Sequence, residues 1–264
     1  MKKLRIDLLL VNRGLAESRN RAQRLVMAGE VRVDGEMVHK SSTQVPLNAE
    51  IEVKQRPKYV SRGGKKLEAA ITAFSVKPGG KICADVGAST GGFTDCLLQN
   101  GAEKVYAIDV GYGVLHWKLR NDPRVVVMER TNARYLDNLP GPVSLVTIDA
   151  SFISLALLLP AVKGWFGDKK GQVIALIKPQ FEAGRKAAAK HAGVIKDEAV
   201  HAKVIEETLS NALALGFTPV GLIPSPIKGP KGNVEFLVDL RLEPGSGSIN
   251  LEDMIHEALK KMPE

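Results

Sequence analysis

Between residues 82 and 240 the chain alternates short apolar runs with stretches of helical spacing, and this alternation constrains the fold more than any other feature. The runs are 82–86, 105–110, 125–128, 143–148, 173–177, 221–224 and 234–240, and helical patterns intervene over 115–120, 155–165 and 199–215. Short runs that stay apolar suit strands buried on both faces, and strands separated by helices form parallel crossover units. The expected fold is therefore α/β, a doubly wound and mostly parallel sheet whose ligands sit at the carboxyl ends of the strands.

The first of these units carries the most chemistry. Ile82, Cys83, Ala84 and Val86 form a strand, Gly87, Gly91 and Gly92 let the backbone turn tightly, and Phe93, Cys96 and Leu97 recur at helical spacing. A dinucleotide fingerprint needs glycine where this chain has Ser89, and Asp85 just before the turn is unfavourable beside pyrophosphate. An acid there suits a ligand carrying an ammonium and a sulfonium, so S-adenosylmethionine is the expected cofactor. Asp109 closes the next run, where a ribose-binding carboxylate belongs in doubly wound folds. Asn132 follows the third run and is either an adenine contact or a simple turn residue. The cofactor candidates are Asp85, Gly87, Ser89, Gly91, Gly92, Asp109 and Asn132; the plain alternative for the glycines is a packing turn.

Charge divides the chain. Residues 1–66 hold 15 Lys and Arg against 7 Asp and Glu, whereas the remainder holds 22 of each. A basic module joined to a neutral domain points to a polyanionic partner. Residues 3–28 show two helical patterns, the first ended by Gly14 and the second capped by Ser18 and carrying Ala22, Leu25, Val26 and Met27 inward. Arg19, Arg21 and Arg24 lie on the opposite face of the second. A hairpin with a primed turn at Asp34-Gly35 and a short strand at 51–53 follow. The expected divisions are a small basic domain over 1–54 suited to a polyanion, a stiff connector over 55–60 held by Pro57, and the α/β domain over 61–243. A flexible break at 244–248 and a short terminal helix complete the remainder, 244–264. Ser61 is the expected cap of the first helix of the α/β domain, which places Arg62 and Lys66 on one face.

Other classes are disfavoured. No apolar run approaches a membrane span, no signal peptide is evident, and the two cysteines, Cys83 and Cys96, read as reduced buried thiols. A cytoplasmic protein without stable membrane association is expected. The five histidines show no ligand spacing, so no metal is expected.

Two resemblances join these features. The first fifty residues, with the arginine-bearing helix, Gly29, the 31–35 hairpin and Lys40, resemble the RNA-binding module shared by ribosomal protein S-four, tyrosyl-tRNA synthetases and pseudouridine synthases. That resemblance implies RNA contact through Arg5, Arg19, Arg21, Arg24 and Lys40. Residues 61–240 resemble the FtsJ-type RNA ribose methyltransferases, a Rossmann-like class I fold with a Lys-Asp-Lys-Glu tetrad. The matching residues are Lys66 in SRGGKKLEA, Asp149 in TIDASF, Lys178 in LIKPQFE and Glu235 in KGNVEF. Lys65 is the alternative for the first lysine. Both domains together resemble the TlyA, or hemolysin A, group of ribosomal RNA cytidine 2′-O-methyltransferases. Where that group often has a tryptophan before the Ser-Arg-Gly motif, this chain has Lys58-Tyr59-Val60.

The resemblance implies methyl transfer to a ribose 2′-oxygen, with Lys178 as general base, Asp149 and Glu235 orienting it, and Lys66 steadying the ribose oxygen or a phosphate. Base-nitrogen methylation is disfavoured because the fourth strand ends in Asp149-Ala150-Ser151-Phe152 and not in Asn/Asp-Pro-Pro-Tyr. Arg62, and Lys228 and Lys231 in the loop over 226–233, are further RNA candidates; a solvated loop is the alternative. Three competing classes are a non-catalytic RNA-binding assembly factor, a hemolysin, and a nicotinamide-dependent dehydrogenase.

Overall fold

The structure, a computed structural model, describes residues 2–54, 57–167, 169–184, 194–229, 231–242 and 250–262. Gln55 and Arg56 of the expected connector and the expected break at 244–248 lie outside the described residues. The chain divides into two compact units, Met1–Pro57 and Lys58–Glu264.

In the first unit, strand β1 (Lys3–Arg5) pairs antiparallel with β4 (Gln44–Pro46). Helix α1 (Ile6–Asn12) buries Ile6, Leu9 and Leu10, and α2 (Arg19–Met27) buries Ala22, Leu25 and Val26. Strands β2 (Val31–Val33), β3 (Glu36–Met37) and β5 (Ile51–Val53) form a three-stranded sheet in the order β3-β2-β5. Asp34 and Gly35 both have positive φ, 51° and 81°, as a primed turn requires. Ser18 caps α2 by accepting the Arg21 amide at 3.3 Å. Two expectations are corrected. Residues 3–5 are strand and not helix, because Leu4 finds its partner at Val45. Met27 is 68% exposed, since it lies off the stripe formed by positions 22, 25 and 26.

The second unit is a seven-stranded sheet flanked by helices. Its strands are β6 (Ile82–Val86), β7 (Lys104–Ile108), β8 (Val125–Met128), β9 (Leu145–Ile148), β10 (Gly171–Ile177), β11 (Thr218–Pro224) and β12 (Phe236–Leu242). Their order is β11-β12-β10-β9-β6-β7-β8, parallel from β10 to β8, with β12 antiparallel to both of its neighbours. The expected doubly wound, mostly parallel sheet is thus present. Helices α3 (Gly63–Ala73), α4 (Gly92–Gln99), α5 (Trp117–Arg120), α6 (Leu155–Trp165), α7 (Pro179–Glu182), α8 (Glu198–Ala214) and α9 (Leu251–Lys260) complete it.

Two apolar clusters pack the unit. One gathers Ile148, Leu159, Phe217 and Phe236; the other gathers Tyr59, Leu67, Leu97 and Leu237. Cys83 and Cys96 are buried free thiols whose pKa values burial pushes up to about 12. Tyr59, expected in the connector, is 3% exposed inside the second cluster. Its ring lies so close to Gly64 that a Cβ there would stand 2.2 Å from it. Ser61 is not the cap of α3, which starts at Gly63; its hydroxyl instead occupies the space that a side chain on Gly92 would need.

Candidate active site

The turn from β6 into α4 is built from glycines for steric reasons. Gly87 has φ +78° and a Cβ there would meet the Asp149 carbonyl oxygen at 2.7 Å; Gly91, at φ +95°, caps α4. Ser89 adopts φ +50° without glycine's freedom, and its amide donates to Asp109 Oδ2 at 2.8 Å. The other Asp109 oxygen accepts the Gly111 amide at 2.7 Å, so this carboxylate joins the turn to the end of β7. Asp85 is fully buried beneath the turn, accepting hydroxyl hydrogens from Thr94 at 2.6 Å and Thr147 at 2.9 Å. Burial raises its pKa to about 6 against the lowering effect of both hydroxyls. Asn132 is exposed and accepts the Arg134 amide at 3.1 Å, capping a short turn over Ala133–Tyr135.

Beside this turn lies a cleft of about 610 Å³, lined by Gly87, Ala88, Ser89 and Gly92 on one side and by the four tetrad residues on the other. Asp85, Asp109 and Asn132 are not among its lining residues. The tetrad resolves into two ion pairs. Lys66 Nζ, from α3, stands 2.5 Å from Glu235 Oε2, just before β12. Lys178 Nζ, after β10, stands 2.5 Å from Asp149 Oδ1, after β9, and donates to Ser151 Oγ at 3.1 Å. Both lysines are 6% exposed and Glu235 is 1% exposed. Sequence reasoning expected Glu235 to orient Lys178; in the structure its partner is Lys66. Lys65 is exposed and lies outside the cleft.

The loops after β9 and β10 are tied to each other. Glu182 accepts from Ser154 Oγ at 2.5 Å and from the Leu155 amide at 2.9 Å, which anchors α7 to the start of α6. Burial raises its pKa against these bonds. Phe152, with φ +66° and 90% exposed, sits 4.8 Å from the Phe181 ring centroid. Sequence reasoning missed Ser61, Ser151 and Gln180, all of which line the cleft. It also missed the supports Thr94 and Thr147; a lone hydroxyl in the otherwise apolar strand β9 was the available signal for Thr147.

The basic candidates fall into distinct settings. Arg5 and Arg19 grip Asp7, which is 0% exposed: Arg5 donates through Nε at 3.0 Å and Nη2 at 2.9 Å, Arg19 Nε donates at 3.1 Å, and Gln23 adds a fourth bond at 3.0 Å. Arg24 and Lys40 are exposed and Arg21 is half-buried. Arg62 and Lys231 are exposed at the cleft, whereas half-buried Lys228 is not among its lining residues.

Known proteins carry the same combination. The FtsJ-like methyltransferase model matches residues 59–242 and the S4 domain model matches residues 4–51. The chain is 47% identical over 267 residues to YqxC of Bacillus subtilis, covering 100% of this chain and 94% of that protein. It is 44% identical over 268 residues to the 16S/23S rRNA (cytidine-2′-O)-methyltransferase TlyA of Mycobacterium tuberculosis, covering 99% of each. A solved structure from Streptococcus thermophilus that carries a hemolysin name superposes with a TM-score of 0.72 at 43% identity, covering 99% of this chain and 97% of that one. Among the described residues, no helix is long and apolar enough to cross a membrane. With its glycine turn, its tetrad and both domain models in agreement, the chain belongs to the FtsJ-like methyltransferase family and carries an S4 domain ahead of the catalytic unit.

Proposed function

We propose that the protein transfers the methyl group of S-adenosylmethionine to a ribose 2′-oxygen of ribosomal RNA, on cytidine as in the mycobacterial relative. The observation that carries this reading is the pair of buried lysine–carboxylate contacts facing one cleft beside the glycine turn.

The residues fit the cofactor. Glycine at 87 and 92 keeps side chains out of the turn's close contacts, and Asp109, held by two amides, retains oxygen lone pairs for ribose hydroxyls. When bound, S-adenosylmethionine supplies an activated methyl group for in-line displacement. Asp85 acts from beneath: by fixing Thr94 and Thr147 it holds the turn in shape. Gly87, Ser89, Gly91 and Gly92 shape the methionine end, and Asn132 serves the adenine side of the site.

Lys178, once it has passed one of its own protons to the paired Asp149 carboxylate, accepts the 2′-hydroxyl proton as the oxygen–methyl bond forms and the sulfur–methyl bond breaks, with Asp149 and Ser151 fixing its direction. Lys66, held by Glu235, steadies the same oxygen or its neighbouring phosphate. The 1–54 module grips structured RNA through Arg21, Arg24 and Lys40, and the catalytic unit has RNA contacts of its own in Arg62, Lys228 and Lys231. Arg5 and Arg19 contribute their outward nitrogens while remaining tied to Asp7. The substrate sets the place of action, the cytoplasm, where ribosomes are made.

Tritiated methyl transfer to purified ribosomal subunits tests this. The expected result is label recovered in a 2′-O-methylnucleoside at one mapped position. RNA binding without label would mark an assembly factor, and lysis of erythrocytes by the purified protein would favour a membrane-active one.

A further inference from the structure

The buried charged side chains that line the cleft have protein partners among the described residues. Lys66 is bonded to Glu235, Lys178 to Asp149 and Ser151, and Asn233 Oδ1 accepts the Ile195 amide at 2.9 Å. Gln180 is different. Its Oε1 atom is buried and has no hydrogen-bond partner among the described residues, although the side chain lines the cleft two residues after Lys178. A buried carbonyl without a donor is costly, and such a group is retained when something else supplies the bond.

The surroundings hold Gln180 at this place. Lys178 is fixed on one side by Asp149 and Glu182 on the other by Ser154 and the Leu155 amide, so the short helix α7 is pinned at both ends. The last torsion of a glutamine is soft, and turning it presents a donor and an acceptor side by side in one plane. That pattern matches the edge of a nucleobase, as in the pairing of glutamine with adenine.

We propose that Gln180 reads the base of the acceptor nucleotide, its amide bonding the polar edge of the nucleobase whose ribose is presented to Lys178. This rests on the ribose-methylation reading above. An amide that serves substrate and not fold makes an unusual prediction: replacing it by an apolar side chain of the same length removes an unsatisfied group and lowers recognition without lowering stability.

The test compares full-length wild type with Gln180→Met and Gln180→Glu. Melting temperature, S-adenosylmethionine affinity by calorimetry, kcat/KM on purified ribosomal subunits, and the distribution of 2′-O-methylnucleosides after digestion are measured. Support is a Gln180→Met protein with unchanged or higher Tm, cofactor affinity within about twofold, and kcat/KM lower by roughly 10–100-fold, the scale of one bidentate base contact. Its residual product should spread over more than one base, and Gln180→Glu should shift that distribution differently. Gln180→Met with wild-type kcat/KM and product distribution would overturn the assignment, as would a drop in Tm that accounts for the lost activity. If wild type itself methylates no ribose, the reading of the site fails, and the inference with it.

Discussion

Lys66 and Lys178 both face a carboxylate at 2.5 Å, yet their removal should have unequal effects, because Glu235 has 1% side-chain exposure and Asp149 has 21%. Lys66→Ala leaves a buried charge uncompensated, a change that costs about 3–5 kcal/mol. Lys178→Ala leaves a carboxylate that water reaches, so its stability loss should be well under half of that, while turnover falls by about 10²–10⁴-fold with cofactor binding retained. Urea denaturation and calorimetry on the two variants check this ordering; near-normal turnover of Lys178→Ala would reject its role as base. Asp85 offers a pH test. Its folded pKa of about 6 lies above the ordinary carboxylate value of 3.8, so the folded protein holds this proton more tightly than the unfolded chain does. Stability from this group is therefore present at low pH, declines between about pH 4 and pH 6, and stays low above that. Asp85→Asn, neutral throughout, should gain stability relative to wild type as pH is raised from 4.5 to 7.5. Parallel melting curves across that range would show that Asp85 does not titrate in this way. The sequence motifs named Lys66, Asp149, Lys178 and Glu235, but the pairing of Lys66 with Glu235 joins positions 169 residues apart and only packing reveals it.

Among the elements, α1 and α2 are joined by one buried carboxylate. Asp7 is held by Arg5, Arg19 and Gln23, and the Arg5 guanidinium, with smaller help from Gln23 and Arg19, keeps its pKa far below the usual carboxylate range. The stability it confers is present above about pH 4 and is lost as pH falls further. Asp7→Asn removes the charge and is expected to destabilise the first unit by about 1–3 kcal/mol at pH 7, with the difference from wild type shrinking on acidification. Hydrogen exchange of amides in α1 and α2 of the full chain measures this, and equal protection in both proteins would contradict it. The bonds of Arg5 and Arg19 to Asp7 have no signal in the sequence, because a basic pattern looks the same whether or not it also meets a buried acid. The same limit explains β1: three residues ahead of a helix have no local signal for pairing with Gln44–Pro46. It explains Ser61 too, whose hydroxyl lies in the space that a side chain on Gly92 would fill, a neighbour 31 positions away in the sequence.

At the scale of the whole molecule, the formal charge excess sits in residues 1–66 and the remainder balances. An RNA-gripping module should therefore dominate the salt dependence of binding. Replacing Arg21 and Arg24 together by Ala should weaken affinity for ribosomal RNA at low salt and flatten the slope of log K against log salt by about 1.4–1.8, with kcat at saturating RNA unchanged. Filter binding across a salt series checks it; an unaltered slope would remove α2 from the interface. The sequence alone determined the layered α/β class, the basic module at the front and the glycine turn, because periodicity, charge and turn chemistry are properties of neighbouring residues. Tertiary structure alone decided which lysine meets which carboxylate, that Tyr59 is core of the catalytic unit, that Asp85 supports the turn from below, and that Gln180 Oε1 is buried without a hydrogen-bond partner among the described residues. Burial and hydrogen bonding between distant segments set those outcomes, and they exist only once the strands have been brought side by side.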